Sequence, residues 1–416
     1  MPSITQKNGN IPLIQLLGDV TLAILDKYSY IQDKIWVKTP IRWISHLRRV
    51  KPRQSVKEVL PWMIIQIIHG LLVVYELLLI TGYGGIPVEE LKSWFKIFIV
   101  FLCILDVTIS VITFTLWSKR DLMAACFNAV TLLPKYQSEV PLESGLANTK
   151  AASVISHLVS AGLTLELALS PYALSFVVVV FNLEDPTLYL LRPLTFMLSF
   201  QLDQAMRAFI LTLLNCNRFF SLINYAFLLI MLASRILLVQ LTILQPPNAK
   251  TSRPNSFMAT FDRKLGVYRR LYLILKYCNE MGGLTHSLIM TMGFFTMVIS
   301  GSVVVLKTSF LSIPTSFFPM FPSYFLLVLG LFIASVPIAA NIYENSVWFK
   351  YAWMKTGGYE RKYVRKQLVS CSDIKAKLGV MGFVDRSYIM TFLDALLNNI
   401  VNVVMYVSET RLQVLY

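Results

Sequence analysis

Long apolar stretches separated by polar segments dominate the pattern of this chain. Seven stretches are apolar over about twenty residues, the length that a helix needs to cross a bilayer. They run over residues 60–81, 97–117, 151–181, 194–214, 284–306, 321–342 and 388–407. The pattern therefore predicts an all-α membrane protein with seven transmembrane helices.

An eighth apolar stretch, residues 221–244, contains several polar side chains, and the basic residues decide its place. With seven spans, Lys and Arg number 10, 2, 4, 1, 9, 1, 9 and 1 in the successive segments outside the spans. Because basic residues concentrate on the cytoplasmic side, this alternation predicts a cytoplasmic N-terminus and an extracellular C-terminus. Residues 221–244 then form a cytoplasmic helix whose apolar surface must be buried by other helices or by another subunit. Residues 245–275, which include three prolines, are expected to form a loop.

The last predicted span carries a polar stripe. Thr391, Asp394, Asn398, Asn402 and Met405 recur at spacings of three and four, which places them on one face of a helix. Lipid cannot solvate such a face, so it must turn toward protein or water. Two interpretations stay open, a polar seam against a neighbouring helix and the lining of a pore.

In the pore interpretation, several copies of Asp394 around an axis form an acidic ring that attracts cations. The alternative for this carboxylate is an ion pair with Arg386 or Lys377. Further along the helix, Met405 and Tyr406 are placed to form an apolar constriction. The predicted pore-lining residues are Thr391, Asp394, Asn398, Asn402, Met405 and Tyr406.

Composition agrees with a membrane protein and argues against other classes. Hydrophobic residues make up 56% of the chain, and the mean hydropathy is +0.61. The net charge of +15 comes from Lys and Arg that flank apolar spans, so membrane orientation explains it better than nucleic-acid binding. The five cysteines and four histidines lack metal-ligand or catalytic spacing. We therefore expect no metal, no cofactor and no enzymatic activity.

The run Gly382-Phe383-Val384-Asp385-Arg386-Ser387 leads into the last span and resembles the corresponding run of insect gustatory receptors. In that family, the last helix ends in Thr-Tyr, five apolar residues and Gln-Phe. Here the same spacing falls on Asn398-Asn399, residues 400–404 and Met405-Tyr406, with the four marker residues replaced. Arg218-Phe219 and the run 279–284 resemble further positions of the family. The chain thus resembles a divergent insect gustatory receptor.

This resemblance implies the insect chemoreceptor channel fold and a ligand-gated, non-selective cation channel in which the last helices of four subunits surround the pore. It implies a homo- or hetero-tetramer with other gustatory receptors, in the plasma membrane of a sensory neuron dendrite, gated by a small-molecule tastant. The tastant is expected to be a bitter plant compound or a sugar. The alternatives are an odorant receptor of the same superfamily and, from a different class, a secondary transporter.

The resemblance also assigns regions along the chain. Their expected bounds are 1–59 for a cytoplasmic N-terminal region, 60–214 for transmembrane helices 1–4, 215–283 for a cytoplasmic anchor region, 284–342 for helices 5–6, 343–386 for a second anchor region, 387–408 for the pore helix, and 409–416 for an extracellular tail.

The family binds its ligands in the outer half of the bundle, where this chain interleaves aromatic and hydroxyl side chains. The ligand-binding candidates are Tyr172, Phe176, Phe196, Ser199, Phe200, Asp203, Phe295 and Thr296. Asp203 has a second interpretation, an ion pair with Arg207 one turn along the helix. For Asp106, near the middle of the second span, we expect an ion pair with Arg207 or Lys96.

Overall fold

The computed structural model describes residues 25–27, 29, 38–83, 93–133, 200–244, 254–307, 318, 320–356, 361–377 and 382–415. Within them a two-stranded antiparallel ribbon precedes a series of helices. The strands are β1 (Ile41–Ile44) and β2 (Arg49–Pro52), with Ile41 opposite Pro52. The helices are α1 (Val56–Thr81), α2 (Ser93–Ser118), α3 (Arg120–Leu132), α4 (Phe200–Leu244), α5 (Pro254–Lys307), α6 (Met320–Thr356), α7 (Arg361–Val369) and α8 (Arg386–Leu415).

Five helical segments in this part of the chain are long and apolar enough to cross a membrane. They are Val56–Thr81, Phe95–Ser118, Thr285–Leu306, Phe321–Lys355 and Arg386–Val407. These segments coincide with the first, second, fifth, sixth and seventh predicted spans. The third predicted span lies outside the described residues, and the fourth is described only from Phe200 onward, at the start of α4. A mainly helical chain with five apolar candidate spans is therefore confirmed, whereas seven spans and their orientation stay predictions.

One helix of 45 residues, α4, joins the described end of the fourth predicted span to the region after it, without a break near residue 215. The expected bound there stays a prediction. The prediction that 245–275 is a loop is wrong, because α5 begins at Pro254 and runs for 54 residues. Proline is well suited to the first turn of a helix, where its missing N–H has no partner to lose. At 1.5 Å per residue α5 is about 80 Å long, far more than a bilayer core of about 30 Å.

The expected bound at residues 283 and 284 likewise falls within a continuous helix, α5, and stays a prediction. The ribbon is a second correction, to the all-α prediction. It packs on α3, where the side-chain amide of Asn128 exchanges hydrogen bonds of 3.0 and 2.8 Å with the backbone N–H and carbonyl of Val50. Trp43 meets Phe127 edge to face, with ring centroids 5.5 Å apart.

The largest buried core lies where the extensions of α4, α5 and α6 pack together with α3 and α7. It includes Leu237, Phe261, Leu271, Trp353 and Leu368, all almost fully buried. The side-chain amide of Gln240 donates to the Ile342 carbonyl at 3.1 Å, so α4 and α6 are also joined by a polar contact. The apolar surface of residues 221–244 is thus buried to a large extent by the same chain, one of the two possibilities that the sequence left open.

Candidate functional site: the last helix and its supports

Helix α8 packs against α5 and α6 along one face. Phe392 is the centre of this contact: its ring stacks on Phe332 at 3.9 Å and meets Phe294 edge to face at 5.3 Å. Leu396, one turn further, is 2% exposed. A Cβ atom at Gly301 of α5 would lie 2.7 Å from Cδ1 of Ile400, so the absence of a side chain lets the two helices approach closely.

The opposite face of α8 carries the polar stripe and is exposed. All six predicted pore-lining residues are exposed on the single chain: Thr391, Asp394, Asn398, Asn402, Met405 and Tyr406. The exposed face also includes apolar side chains, such as Leu397 and Val401, at 63% and 56%. The stripe therefore does not form a seam with another described helix of the same chain, which was one of the two interpretations.

Asp394 takes no part in an ion pair among the described residues. The alternative partner Arg386 instead binds Glu344 of α6, with its Nε atom 2.6 Å from Oε1 of the carboxylate. The other alternative, Lys377, is placed before α8 by its backbone, whose N–H donates to the side-chain carbonyl of Asn279 at 3.0 Å. Asp394 is thus left as an exposed acid on the stripe.

Every position of the Gly382–Ser387 run has a structural role at the start of α8. Gly382 has φ of 94°, in the left-handed region that glycine adopts without strain. Val384 is buried among the side chains that hold α8, and its N–H donates to the Ala376 carbonyl at 3.0 Å. Phe383 lies beneath the Lys375 ammonium, which is 4.3 Å from the ring centroid.

Asp385 caps the helix. Its Oδ1 atom accepts hydrogen bonds from the Ser387 hydroxyl at 2.7 Å and from the Tyr388 N–H at 2.9 Å. These are the bonds of an N-cap, which satisfy a backbone donor that the first turn leaves free. The Ser387 hydroxyl and the Tyr388 N–H lower the pKa of Asp385 because both stabilise its charged form.

The segment before this run, residues 370–377, is tied to α5 and α6 by side chains, and we call it the anchor segment. Tyr268 donates to the Ser372 carbonyl at 2.9 Å and shares a 2.7 Å hydrogen bond with Ser346. Burial raises the pKa of Tyr268, so its hydroxyl remains a donor. Lys350 pairs with Asp373 at 2.7 Å. The start of the last helix is therefore fixed to the long helices by several independent contacts.

The ligand-binding candidates are only partly within the described residues. Tyr172, Phe176, Phe196 and Ser199 lie outside them, and Phe200 and Asp203 lie on α4 without described side chains. Phe295 is 48% exposed, whereas its neighbour Thr296 is buried with its hydroxyl donating to the Met292 carbonyl at 2.9 Å. The structure does not bring these two described side chains together into one pocket.

A buried group of charged residues joins α1, α2 and α4, and the sequence did not predict its partners. Asp106 of α2 accepts two hydrogen bonds from the Arg218 guanidinium, through Nε at 2.5 Å and through Nη2. His69 of α1 lies on the other side, with Nε2 at 3.4 Å from Oδ1 of Asp106. The expected partner of Asp106 was Arg207 or Lys96, so that expectation is wrong.

Glu76 of α1 completes this group, which we call the buried charge cluster (His69, Glu76, Asp106 and Arg218). One feature of the sequence could have indicated this cluster: an ionisable residue within an apolar span needs a partner. Among the described residues no group of His, Cys, Asp or Glu has the arrangement of a metal site.

Comparison of the whole chain with solved structures shows the fold. The structure of the insect olfactory receptor OR5 from Machilis hrabei in complex with eugenol aligns with a TM-score of 0.56 at 10% sequence identity, covering 95% of this chain and 98% of that one. A second structure of the insect olfactory receptor OR5 from Machilis hrabei aligns with a TM-score of 0.53 at 10% sequence identity, covering 96% of this chain and 98% of that one. No protein-family model and no curated protein matches the sequence.

This chain therefore has the fold of an insect olfactory receptor. The neighbours are olfactory receptors. Together with the five apolar candidate spans, this fold indicates a multi-pass membrane protein.

Proposed function

We propose that this chain is a gustatory receptor, a subunit of a ligand-gated, non-selective cation channel whose pore is lined by α8. The observation that carries the proposal is the two-faced packing of α8. One face is held by α5 and α6 through Phe392, and the opposite face exposes Asp394 and Asn398 on the surface of the chain. In a chain with the fold of a chemoreceptor, an exposed polar stripe within an apolar span fits a water-filled path.

Four copies arranged around an axis enclose the water-filled path that the exposed stripe of a single chain cannot enclose alone. Each copy contributes one Asp394, and the resulting ring of carboxylates concentrates cations at one level of the pore. Asn398 and Asn402 offer uncharged hydrogen-bonding groups further along, and Met405 and Tyr406 form an apolar constriction that closes the path by excluding water. The proposal includes seven spans, a cytoplasmic N-terminus and an extracellular C-terminus.

The ligand is proposed to be a small bitter plant compound or a sugar that binds in the outer half of the helix bundle. The receptor then acts in contact chemosensation, in the plasma membrane of a sensory neuron dendrite, as a homo- or hetero-tetramer. The supports for the gustatory assignment are the Gly382–Ser387 run and its position at the start of α8.

A second candidate function is an olfactory receptor of the same superfamily. It is favoured by the structural neighbours, which are olfactory receptors, one of them in complex with eugenol. The two candidates share a channel mechanism and differ in the ligands that open it. A panel of ligands that includes both volatile and non-volatile compounds separates them.

The test is the whole-cell current of cells that express this chain, recorded with sugars, bitter plant compounds and eugenol, for the wild type and Asp394→Asn. We expect a ligand-evoked cation current whose preference for divalent over monovalent cations falls in the variant, because the ring loses its charge. Asp121→Asn is the matched control, since Asp121 is an exposed acid on α3 that lies outside the stripe.

Uptake of a substrate driven by an ion gradient, with no channel current, would contradict the proposal in favour of a transporter. A current with the same ion preference in Asp394→Asn and the wild type would keep the channel and remove Asp394 from the pore.

A further inference from the structure

Glu76 is buried in the helix bundle without a hydrogen-bond donor. Glu76 is 0% exposed. Neither of its carboxyl oxygens receives a hydrogen bond from any group in the part of the chain that the structure describes. It lies on the face of α1 that also buries His69, Leu72 and Leu79. A carboxylate in such a place has lost its water and has gained no hydrogen bond in exchange.

The charged and titratable groups around Glu76 come from three other helices. Asp106 and Cys103 lie on α2, and Arg218 lies on α4, while Tyr324 of α6 is near the Asp106–Arg218 pair. His69, on the same buried face of α1 as Glu76, contacts Asp106 through Nε2, so the two acids lie in one buried region between α1 and α2. Two ionised carboxylates in such a region repel each other, and a hydrogen bond between them requires that one of them carries a proton.

Arg218 does not neutralise Glu76, because its donors are directed elsewhere. Its Nε and Nη2 atoms bind Asp106, and Nη1 binds the side-chain carbonyl of Asn215 at 2.8 Å. One guanidinium and one carboxylate already balance in charge. An ionised Glu76 would add an unpaired buried charge, which costs several kcal/mol in a protein interior.

We propose that Glu76 is a proton-binding site, in which its carboxyl group holds a proton and donates it to the Asp106 carboxylate. The proton then satisfies both acids, and Asp106 stays ionised beside Arg218 and His69. A proton needs no cavity, which suits a side chain that is fully buried. Any rearrangement of α1, α2 and α4 that admits water to Glu76 releases the proton, so acid favours the conformation described here.

This inference adds a regulatory ligand to the channel and rests on the proposed function only for its physiological meaning. Its test therefore uses the purified full-length chain in detergent and does not use current. The free energy of unfolding is measured between about pH 5 and pH 8 for the wild type, Glu76→Gln and Glu280→Gln. Gln is neutral and retains an N–H donor toward Asp106, so it imitates the protonated acid. Glu280 is an exposed acid on α5 and gives the matched control.

We expect the stability of the wild type to fall as pH rises, with a slope of up to about one proton, because the folded state holds a proton that the unfolded state has lost. Glu76→Gln loses this part of the slope and is at least as stable as the wild type at neutral pH. Glu280→Gln keeps the slope of the wild type. Infrared spectra of the folded chain contain the carbonyl stretch of a protonated carboxyl group, and this band is missing in Glu76→Gln.

Two results would overturn the proposal. If Glu76→Gln is strongly destabilised at neutral pH and removes no carboxyl band, Glu76 is ionised in the fold. If sodium ions at constant ionic strength stabilise the wild type but not Glu76→Gln, the site holds a metal cation in place of the proton. Neither result depends on ion flow, so the channel proposal and this one can fail separately.

Discussion

Polar residues occur within apolar helices in two regions of this molecule, with opposite surroundings. The buried charge cluster places Asp106 and Arg218 against each other at the junction of α2 and α4, both at most 8% exposed. The stripe of α8 places Asp394 and Asn398 on the surface of the chain, where they contact no partner helix among the described residues. Helices α2 and α8, which carry Asp106 and Asp394, contain segments that are candidates to cross the membrane.

The difference shows which polar groups the single chain can satisfy by itself. In the cluster, charge is balanced by side chains that come from distant parts of the sequence, and these contacts therefore join the helices of the bundle. On α8 the chain supplies apolar support on one face only, and the other face requires water or further subunits. The first region is explained by folding, and our proposal explains the second by assembly.

The largest effect is expected from the same chemical change, Asp to Asn, made once in each region. Asp106→Asn leaves the Arg218 guanidinium buried without its counter-ion, and we expect a loss of about 3–5 kcal/mol in the free energy of unfolding. Asp394→Asn is expected to change this free energy by less than about 0.5 kcal/mol, because the side chain is exposed. The measurement is equilibrium unfolding in mixed micelles that keep the chain monomeric.

Equal losses in the two variants would remove the distinction between the regions. Equal and small losses would mean that Arg218 finds another partner, while equal and large losses would mean that Asp394 is bound within the single chain. The variant Asp106→Asn with Arg218→Met tests the first case, since removal of both charges is expected to recover part of the stability.

The two regions also differ in how far the sequence predicts them. The stripe depends on spacing within one helix, so periodicity was enough to place its five residues on one exposed face. The pairing of Asp106 with Arg218 spans 112 positions along the chain. Nothing in the local pattern distinguishes Arg218 from Arg207 as the partner, and only the packing of α2 on α4 decides.

The start of α5 shows a different limit of prediction from the sequence. Pro246, Pro247 and Pro254 favoured a loop for residues 245–275, yet Phe257, Phe261, Leu265 and Tyr268 have helical spacing and are buried. The proline signal was given too much weight over periodicity, since proline at a helix start does not interrupt the backbone hydrogen bonds. The spans were easier to place because the length of an apolar run alone identifies them.

The next largest effect is expected at the support of α8. Phe392→Ala removes a ring that stacks on Phe332 and contacts Phe294, and we expect a loss of about 3 kcal/mol in the free energy of unfolding. Tyr406→Ala is the matched control, because this ring is on the same helix and is 71% exposed. In monomeric micelles the control is expected to retain the stability of the wild type.

The two aromatic variants are then compared in the assembled protein. If α8 faces a pore or other subunits, Tyr406→Ala changes assembly or current while it leaves the single chain intact. A large loss of monomer stability in Tyr406→Ala would place its ring in a contact within the chain and would contradict the exposed face.

The smallest effect is expected at the start of α8, where Asp385 caps the helix. Asp385→Ala removes the N-cap, and we expect a loss of about 1 kcal/mol in the free energy of unfolding. The pKa of Asp385 is lowered in the folded chain by the Ser387 hydroxyl and the Tyr388 N–H. Its contribution is therefore complete above the ordinary pKa of an Asp, about 3.9, and is lost as pH falls through the lower pKa of the folded state.

The difference between the wild type and Asp385→Ala should accordingly be constant near neutral pH and shrink only in strong acid. Asp385→Asn separates the hydrogen bond from the charge, because Asn is also a good N-cap but does not titrate in this range. It should recover most of the stability and show no shrinkage in acid. Hydrogen exchange at the Tyr388 N–H gives a local measurement, with faster exchange in Asp385→Ala alone. Equal exchange in all three chains would mean that the contacts of the anchor segment, and not the cap, determine where the exposed face of α8 begins.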